Sequence, residues 1–107
     1  MALFEPAHPG ELIRETIEGI REETGEKLTI AEVAAGLGTT RKTLSTIING
    51  KQSVTPEMAV RLETAFVNTN AEFWLKLQEN FDLANARKRV NTQQIRTFWK
   101  PKTQTPA

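Results

Sequence analysis

The chain contains no cysteine, no tyrosine and a single histidine among its 107 residues. Without cysteine there is neither a disulfide framework nor a thiolate metal site. One histidine builds a zinc site only if carboxylates or a second subunit supply the other ligands, so no metal and no other cofactor is expected. No Ser-His-Asp set is available beyond that one residue, His8, and there is no P-loop or glycine-rich phosphate cradle. His8 stands before Pro9-Gly10, where it reads as a helix cap rather than a catalytic base. A chain of this length buries only about two-thirds of the surface it exposes when unfolded, leaving little room for an enclosed substrate cavity. An enzyme and a small-molecule substrate are therefore both disfavoured. No apolar run approaches the roughly 20 residues of a membrane span, and the first residues lack the basic and apolar regions of a secretory signal. The expectation is a cytoplasmic chain with no membrane partner.

Net charge is small in total and large in blocks. The formal net charge is +1. Residues 1–38 carry eight acids and three bases, 39–56 three bases and no acid, 57–85 five acids and two bases, and 86–107 six bases and no acid. Acid-free basic stretches beside acidic ones are what a surface needs if one face meets a polyanion and the others avoid it. The plainer reading of each block is a solvated face.

Caps and apolar spacing divide the chain into five helices, and no segment alternates cleanly enough to be a strand, so the fold class is all-α. The first helix opens at His8-Pro9-Gly10-Glu11, with Pro9 at a first position where its missing N–H is harmless, and carries Leu12, Ile13, Ile17 and Ile20 on one stripe. Thr29 with Glu32 forms a capping box for the second, which buries Ile30, Val33, Ala34 and Leu37. Gly38 supplies the positive φ of a tight turn, after which Thr39 or Thr40 caps a third helix bearing Leu44, Ile47 and Ile48. Asn49-Gly50 ends that helix with two residues that tolerate the left-handed conformation. Thr55-Pro56 starts a fourth helix with Met58, Ala59, Leu62, Ala65 and Phe66. Asn70 caps a long fifth with Phe73, Trp74, Leu77, Phe81 and Ala84, an apolar surface wider than one partner helix needs. Phe73 and Leu77 read as core there, whereas Trp74 and Phe81 are evenly divided between core and interface. Past Lys88 the period fails, and residues 90–107 form a basic, polar tail in which Ile95, Phe98 and Trp99 would be wasted unless they dock on something.

Two short helices joined by a glycine turn, roughly Ile30 to Leu37 and Arg41 to Asn49, match helix-turn-helix arithmetic. In that geometry the second helix enters the major groove of double-stranded DNA by its N-terminal end. Arg41 and Lys42 can donate to guanine O6 and N7, Thr46 can pack its methyl on thymine, and Ser45 can pair with several base edges. Thr39 or Thr40 at the helix start, and Asn49, Lys51 and Gln52 past its end, suit phosphates or neighbouring bases. Asn49 reads equally as a simple helix terminator. A glycine-turned helix pair also occurs in helical proteins that never touch DNA, but the acid-free polar face favours a DNA reader.

The run His8-Pro9-Gly10-Glu11-Leu12-Ile13, with Glu32-Val33-Ala34, Gly38, Thr43-Leu44-Ser45, Asn49-Gly50-Lys51, Val54-Thr55-Pro56-Glu57-Met58-Ala59, Arg61-Leu62, Glu72-Phe73-Trp74-Leu75, Leu77-Gln78 and Asp82-Leu83, resembles the HigA-type antitoxins. These VapI-like proteins belong to the XRE-type helix-turn-helix superfamily. The resemblance spans about residues 8–89, and its motifs are specific in combination. It implies a five-helix lambda-repressor-like DNA-binding domain over 1–89, with residues 90–107 as a separate tail. It further implies a homodimer that represses its own operator and neutralises a HigB toxin, a small RelE-like mRNA-cleaving ribonuclease. Carried over by position, Thr40, Arg41, Lys42, Ser45 and Thr46 lie on the recognition helix and Asn49 and Lys51 at the DNA backbone. Gln52 reaches further, and Trp74, Leu77 and Phe81 form the dimer face. Gly36 departs from the family pattern by sitting inside the second helix, and the charged connection Glu22 to Lys27 is longer than usual.

Other readings stay open at this point. The stripe Glu11, Glu15, Glu18 and Glu22 is a solvated face or a match for a basic toxin. The tail could bind toxin, DNA or the partner subunit. A free-standing XRE-family transcriptional regulator without a toxin and a pure protein-interaction module are the alternatives to the antitoxin. A neighbouring ribonuclease gene separates the first from the antitoxin, and salt-sensitive binding to a palindromic promoter separates both DNA readers from the second.

Overall fold

The computed structural model describes residues 5–102. Five helices follow in order, α1 (Pro9–Thr24), α2 (Ile30–Leu37), α3 (Arg41–Ile48), α4 (Pro56–Ala65) and α5 (Ala71–Arg89), then a single 3-10 turn at Thr92–Gln94. No strand occurs among the described residues.

Each helix starts where its capping residue directs. The imidazole Nδ1 of His8 accepts the Gly10 N–H at 2.9 Å, and Pro9 takes the first helical position. The capping box at α2 is complete, the Thr29 hydroxyl accepting from the Glu32 N–H and the Glu32 carboxylate accepting from the Thr29 N–H. The Thr29 N–H and, secondarily, the Thr29 hydroxyl, which also donates to the Glu32 carboxylate at 3.0 Å, hold that carboxyl below its ordinary range. Thr40, Thr55 and Asn70 cap α3, α4 and α5 in the same manner. At the end of α2, Gly38 adopts φ +76°, and the N–H groups of Gly38 and Thr39 return to the carbonyls of Ala35 and Ala34. The end of α3 repeats this pattern, but Asn49 stays at φ −83° and only Gly50 takes the left-handed conformation, at φ +75°.

One core forms from Ile13 and Ile17 of α1, Ala34 and Leu37 of α2, Leu44, Ile47 and Ile48 of α3, Val54, Met58, Ala59 and Leu62 around α4, and Trp74 of α5. α3 is held between α1 and α2, while α4 packs mainly on α5. The closest approach is at Gly10, where a Cβ would run into the Ile47 carbonyl and come within 2.8 Å of the Ile48 carbonyl. The start of α1 therefore sits directly against the end of α3.

The inward face of α5 differs from the sequence expectation. Trp74, placed at the dimer face, is 0% exposed, and its indole N–H donates to the Thr69 hydroxyl at 2.8 Å. Phe73, read as core, is 39% exposed. The reason is Gln78, a polar residue that occupies a buried position one turn beyond Trp74. Its Oε1 accepts the Val54 N–H at 2.8 Å and its Nε2 donates to Asp82 at 3.0 Å. The buried line of α5 thus runs through Trp74 and Gln78, rotated by about 100° from a line drawn through Phe73. Ala65, expected on the buried stripe of α4, is exposed.

Candidate nucleic-acid interface

The second helix of the glycine-turned pair, α3, divides cleanly. Leu44, Ile47 and Ile48 are buried, Arg41 and Lys42 are exposed, and Thr43, Ser45 and Thr46 are half-buried along the edges. Thr40 is exposed at the helix start, its hydroxyl accepting the Thr43 N–H at 3.1 Å, with Thr39 half-buried beside it. Asn49, Lys51 and Gln52 are exposed past the other end. Eight of the nine expected residues, all but Thr39, thus lie on α3, at its cap or in the loop that leaves it, with no acid from 39 to 56. Thr46 donates its hydroxyl proton to the Lys42 carbonyl at 2.7 Å, so it offers a methyl and an acceptor rather than a donor. That chemistry suits a thymine methyl or a cytosine or adenine amino group.

Three side chains that sequence reasoning did not place at the interface fix its shape. From α4, the Arg61 guanidinium donates from Nη1 to the carbonyls of Leu37 at 2.9 Å and Gly38 at 3.2 Å, tying down the turn between α2 and α3. Glu57 flanks the same guanidinium at 3.8 Å. From α1, Arg14 donates to Asn49 Oδ1 at 2.9 Å. Because the Asn49 oxygen is engaged, its NH2 group is the part left to face a phosphate, and Arg14 adds a cation to that edge. From the N-terminal segment, His8 caps α1 with Nδ1, hydrogen-bonds the Gln52 backbone, and packs edge-on against Phe81 of α5 with ring centroids 5.0 Å apart. Burial pushes the His8 pKa down, against the opposing pull of Asp82, the Gln52 bond and Glu11. The neutral ring is the form that can accept from Gly10. A spatial contact between residues 44 positions apart in sequence leaves no local signal, which is why His8 reads only as a cap from the sequence.

No cluster able to hold a metal ion occurs among the described residues, and none of their helices is long and apolar enough to cross a membrane. The exposed bases Arg41, Lys42 and Lys51 line no enclosed cavity among the described residues, so their chemistry is that of docking on a polyanion rather than of enclosing a substrate.

Comparison with known proteins agrees with this geometry. A helix-turn-helix family profile matches residues 20–66, the end of α1 through α4. Virulence-associated protein A′ of Dichelobacter nodosus is 38% identical over 96 residues, covering 90% of this chain and 77% of that protein. Antitoxin HigA-1 of Vibrio cholerae is 38% identical over 74 residues, covering 69% and 67%. Among solved structures, the Pseudomonas aeruginosa antitoxin HigA with higBA promoter superimposes with a TM-score of 0.72 at 28% identity, covering 88% of this chain and 99% of that one. The all-helical architecture is thus that of a DNA-binding regulator class and not of an enzyme class. The chain belongs to the XRE-type helix-turn-helix family that includes the HigA antitoxins and the VapI-like virulence-associated proteins.

Proposed function

We propose that this chain is the antitoxin of a HigBA-type toxin-antitoxin module, acting in the cytoplasm as a homodimer that represses its own operon and neutralises a RelE-like mRNA-cleaving toxin. The observation that carries the DNA half is the acid-free face of α3, presented by a rigid cap-and-turn frame in a fold whose solved relative carries its promoter. Arg41 and Lys42 read base edges, Thr40, Ser45 and Thr46 complete the contact, and Asn49, Lys51 and Gln52 with Arg14 hold the flanking backbone. Dimerisation uses the outer face of α5, where Leu77 and Phe81 are half-buried and Phe73 takes the place expected for Trp74. Two-fold symmetry then sets the half-sites about 34 Å apart. The toxin half rests on kinship with HigA-1 and on the acids of α1, which are exposed and outside any ion pair among the described residues.

The test is co-expression with the protein encoded beside this gene, followed by gel shift on the shared promoter. The double variant Arg41→Ala with Lys42→Ala is expected to fold normally and to lose operator binding. Unchanged affinity at physiological salt would place the DNA surface elsewhere. A promoter shift without a growth-arresting partner would identify a free-standing XRE-family regulator instead.

A further inference from the structure

Three large apolar side chains lie beyond the end of α5, Ile95 at 60%, Phe98 at 81% and Trp99 at 77% exposure. The 3-10 turn Thr92–Gln94 that leads to them packs on none of the five helices, and the molecule measures 61 Å along one axis against 29 and 26 Å along the others. The arm is also uniformly basic, with Arg96, Lys100 and Lys102 interleaved and no acid after Asp82. Arg96 already lies over the Phe98 ring at 4.4 Å, leaving its charge beside an apolar surface.

The body holds a matching surface. A groove along α1 comprises two hollows that both border Leu12. One, of about 290 Å³, is bounded by Pro6, Leu77, Glu11 and Glu15. The other, of about 440 Å³, is bounded by Ile20, Phe66 and Phe73. Both are largely apolar, and the first has Glu11 and Glu15 of α1 on its rim. We infer that the C-terminal arm of one subunit lies in the α1–α5 groove of a second copy of this chain, Ile95, Phe98 and Trp99 filling the hollows while Arg96, Lys100 and Lys102 face Glu11 and Glu15.

Duplex phosphates would engage the arm's bases but leave its three apolar side chains in water, whereas an apolar groove with an acidic rim satisfies both. The chain's own groove is a poorer match for its own arm. In the structure the arm does not occupy that groove: Ile95, Phe98 and Trp99 remain exposed, while Lys88 at its base is held by Glu5 at 2.6 Å. The groove also adjoins Phe73 and Leu77, so an arm bound there continues the α5 dimer face. The inference rests on the dimer proposed above, and the test separates the two.

Sedimentation of the full chain gives the dimer dissociation constant. Deleting residues 90–107 is expected to raise it at least tenfold, as is Glu11→Lys with Glu15→Lys, both exposed positions outside the core. Combining that pair with Arg96→Glu and Lys100→Glu is expected to restore most of the affinity. Because the chain has no cysteine, a Leu12→Cys variant mixed with a larger, tagged Phe98→Cys variant reports the contact directly as a cross-linked species containing both chains. Three results would overturn the inference. A dimer unaffected by the deletion and by the charge reversal, with a shallower salt dependence of operator binding after the deletion, places the arm on DNA. A Leu12→Cys/Phe98→Cys double variant that cross-links only within one chain places it on its own groove. A chain that is monomeric throughout removes the dimer reading as well.

Discussion

Replacing His8 separates three roles that the structure gives one ring. His8→Ala removes the cap of α1, worth about 1 kcal/mol, the hydrogen bond to the Gln52 backbone, worth about 1 kcal/mol, and the edge-on contact with Phe81, worth about 0.5–1.5 kcal/mol. With only 6% of the residue exposed, little of that is recovered from water, and a loss of about 2–4 kcal/mol is expected at pH 8. His8→Asn keeps a capping oxygen but is too short to reach Gln52 or Phe81, so it should recover about 1 kcal/mol. The pH dependence follows from the lowered pKa, for which burial is the main cause. Above about pH 6.5 the ring is neutral in both folded and unfolded chains, and the full stability is present. As the pH falls below that value the unfolded chain takes up its proton first, so stability declines until the pH passes the lower, folded value. Protonation also turns Nδ1 from acceptor to donor facing the Gly10 N–H, while Asp82 and Glu11 moderate the effect by favouring the cation. Urea unfolding at pH 8 and pH 5.5 measures both effects. If His8→Ala and His8→Asn are equally unstable, or if both retain the wild-type loss of stability between those pH values, the capping account of His8 is wrong.

Two glycines give opposite expectations for the same substitution. Gly10→Ala drives a methyl into the Ile47 and Ile48 carbonyls at the end of α3, where both contacts are backbone and cannot swing away. A loss of about 2–3 kcal/mol is expected by urea unfolding, with weakened operator binding because α3 must shift. Gly36→Ala, within exposed helix and with nothing within 4 Å of the added Cβ, should raise stability by about 0.5–1 kcal/mol and leave operator binding unchanged.

Sequence alone revealed the helices and the acid-free polar face of α3 because both are local. Caps at His8, Thr29, Thr40, Thr55 and Asn70, and left-handed glycines at 38 and 50, act within a few residues of themselves. An acid-free polar stripe on a short helix is equally visible in one dimension. The rotation of α5 was hidden because a hydrophobic pattern registers apolar residues only, and the residue that decides the rotation is Gln78, buried by its bond to Val54, 24 positions away. The roles of Arg61 and Arg14 were hidden for a related reason. Their partners are a backbone turn and the amide of Asn49, which no composition or period announces.

That same glutamine links the two surfaces on which repression would depend. Val54 closes the loop that leaves α3, and its N–H has Gln78 of α5 as its side-chain partner, with His8 and Phe81 beside it. The loop carrying Lys51 and Gln52 is therefore set in position by the helix whose outer face is proposed to join the subunits. In a dimer, such a link fixes the separation of two recognition helices as well as the angle of each. Gln78→Leu keeps the volume and removes the acceptor, leaving a buried N–H unpaired at a cost of about 1–3 kcal/mol. Because Leu77 and Phe81 are unchanged, the dimer should persist by sedimentation. Operator binding should weaken, and it should weaken less on operators whose half-sites are moved by one base pair than on the native spacing. A uniform loss across spacings would mean that α5 supports the loop without setting the distance between the reading heads.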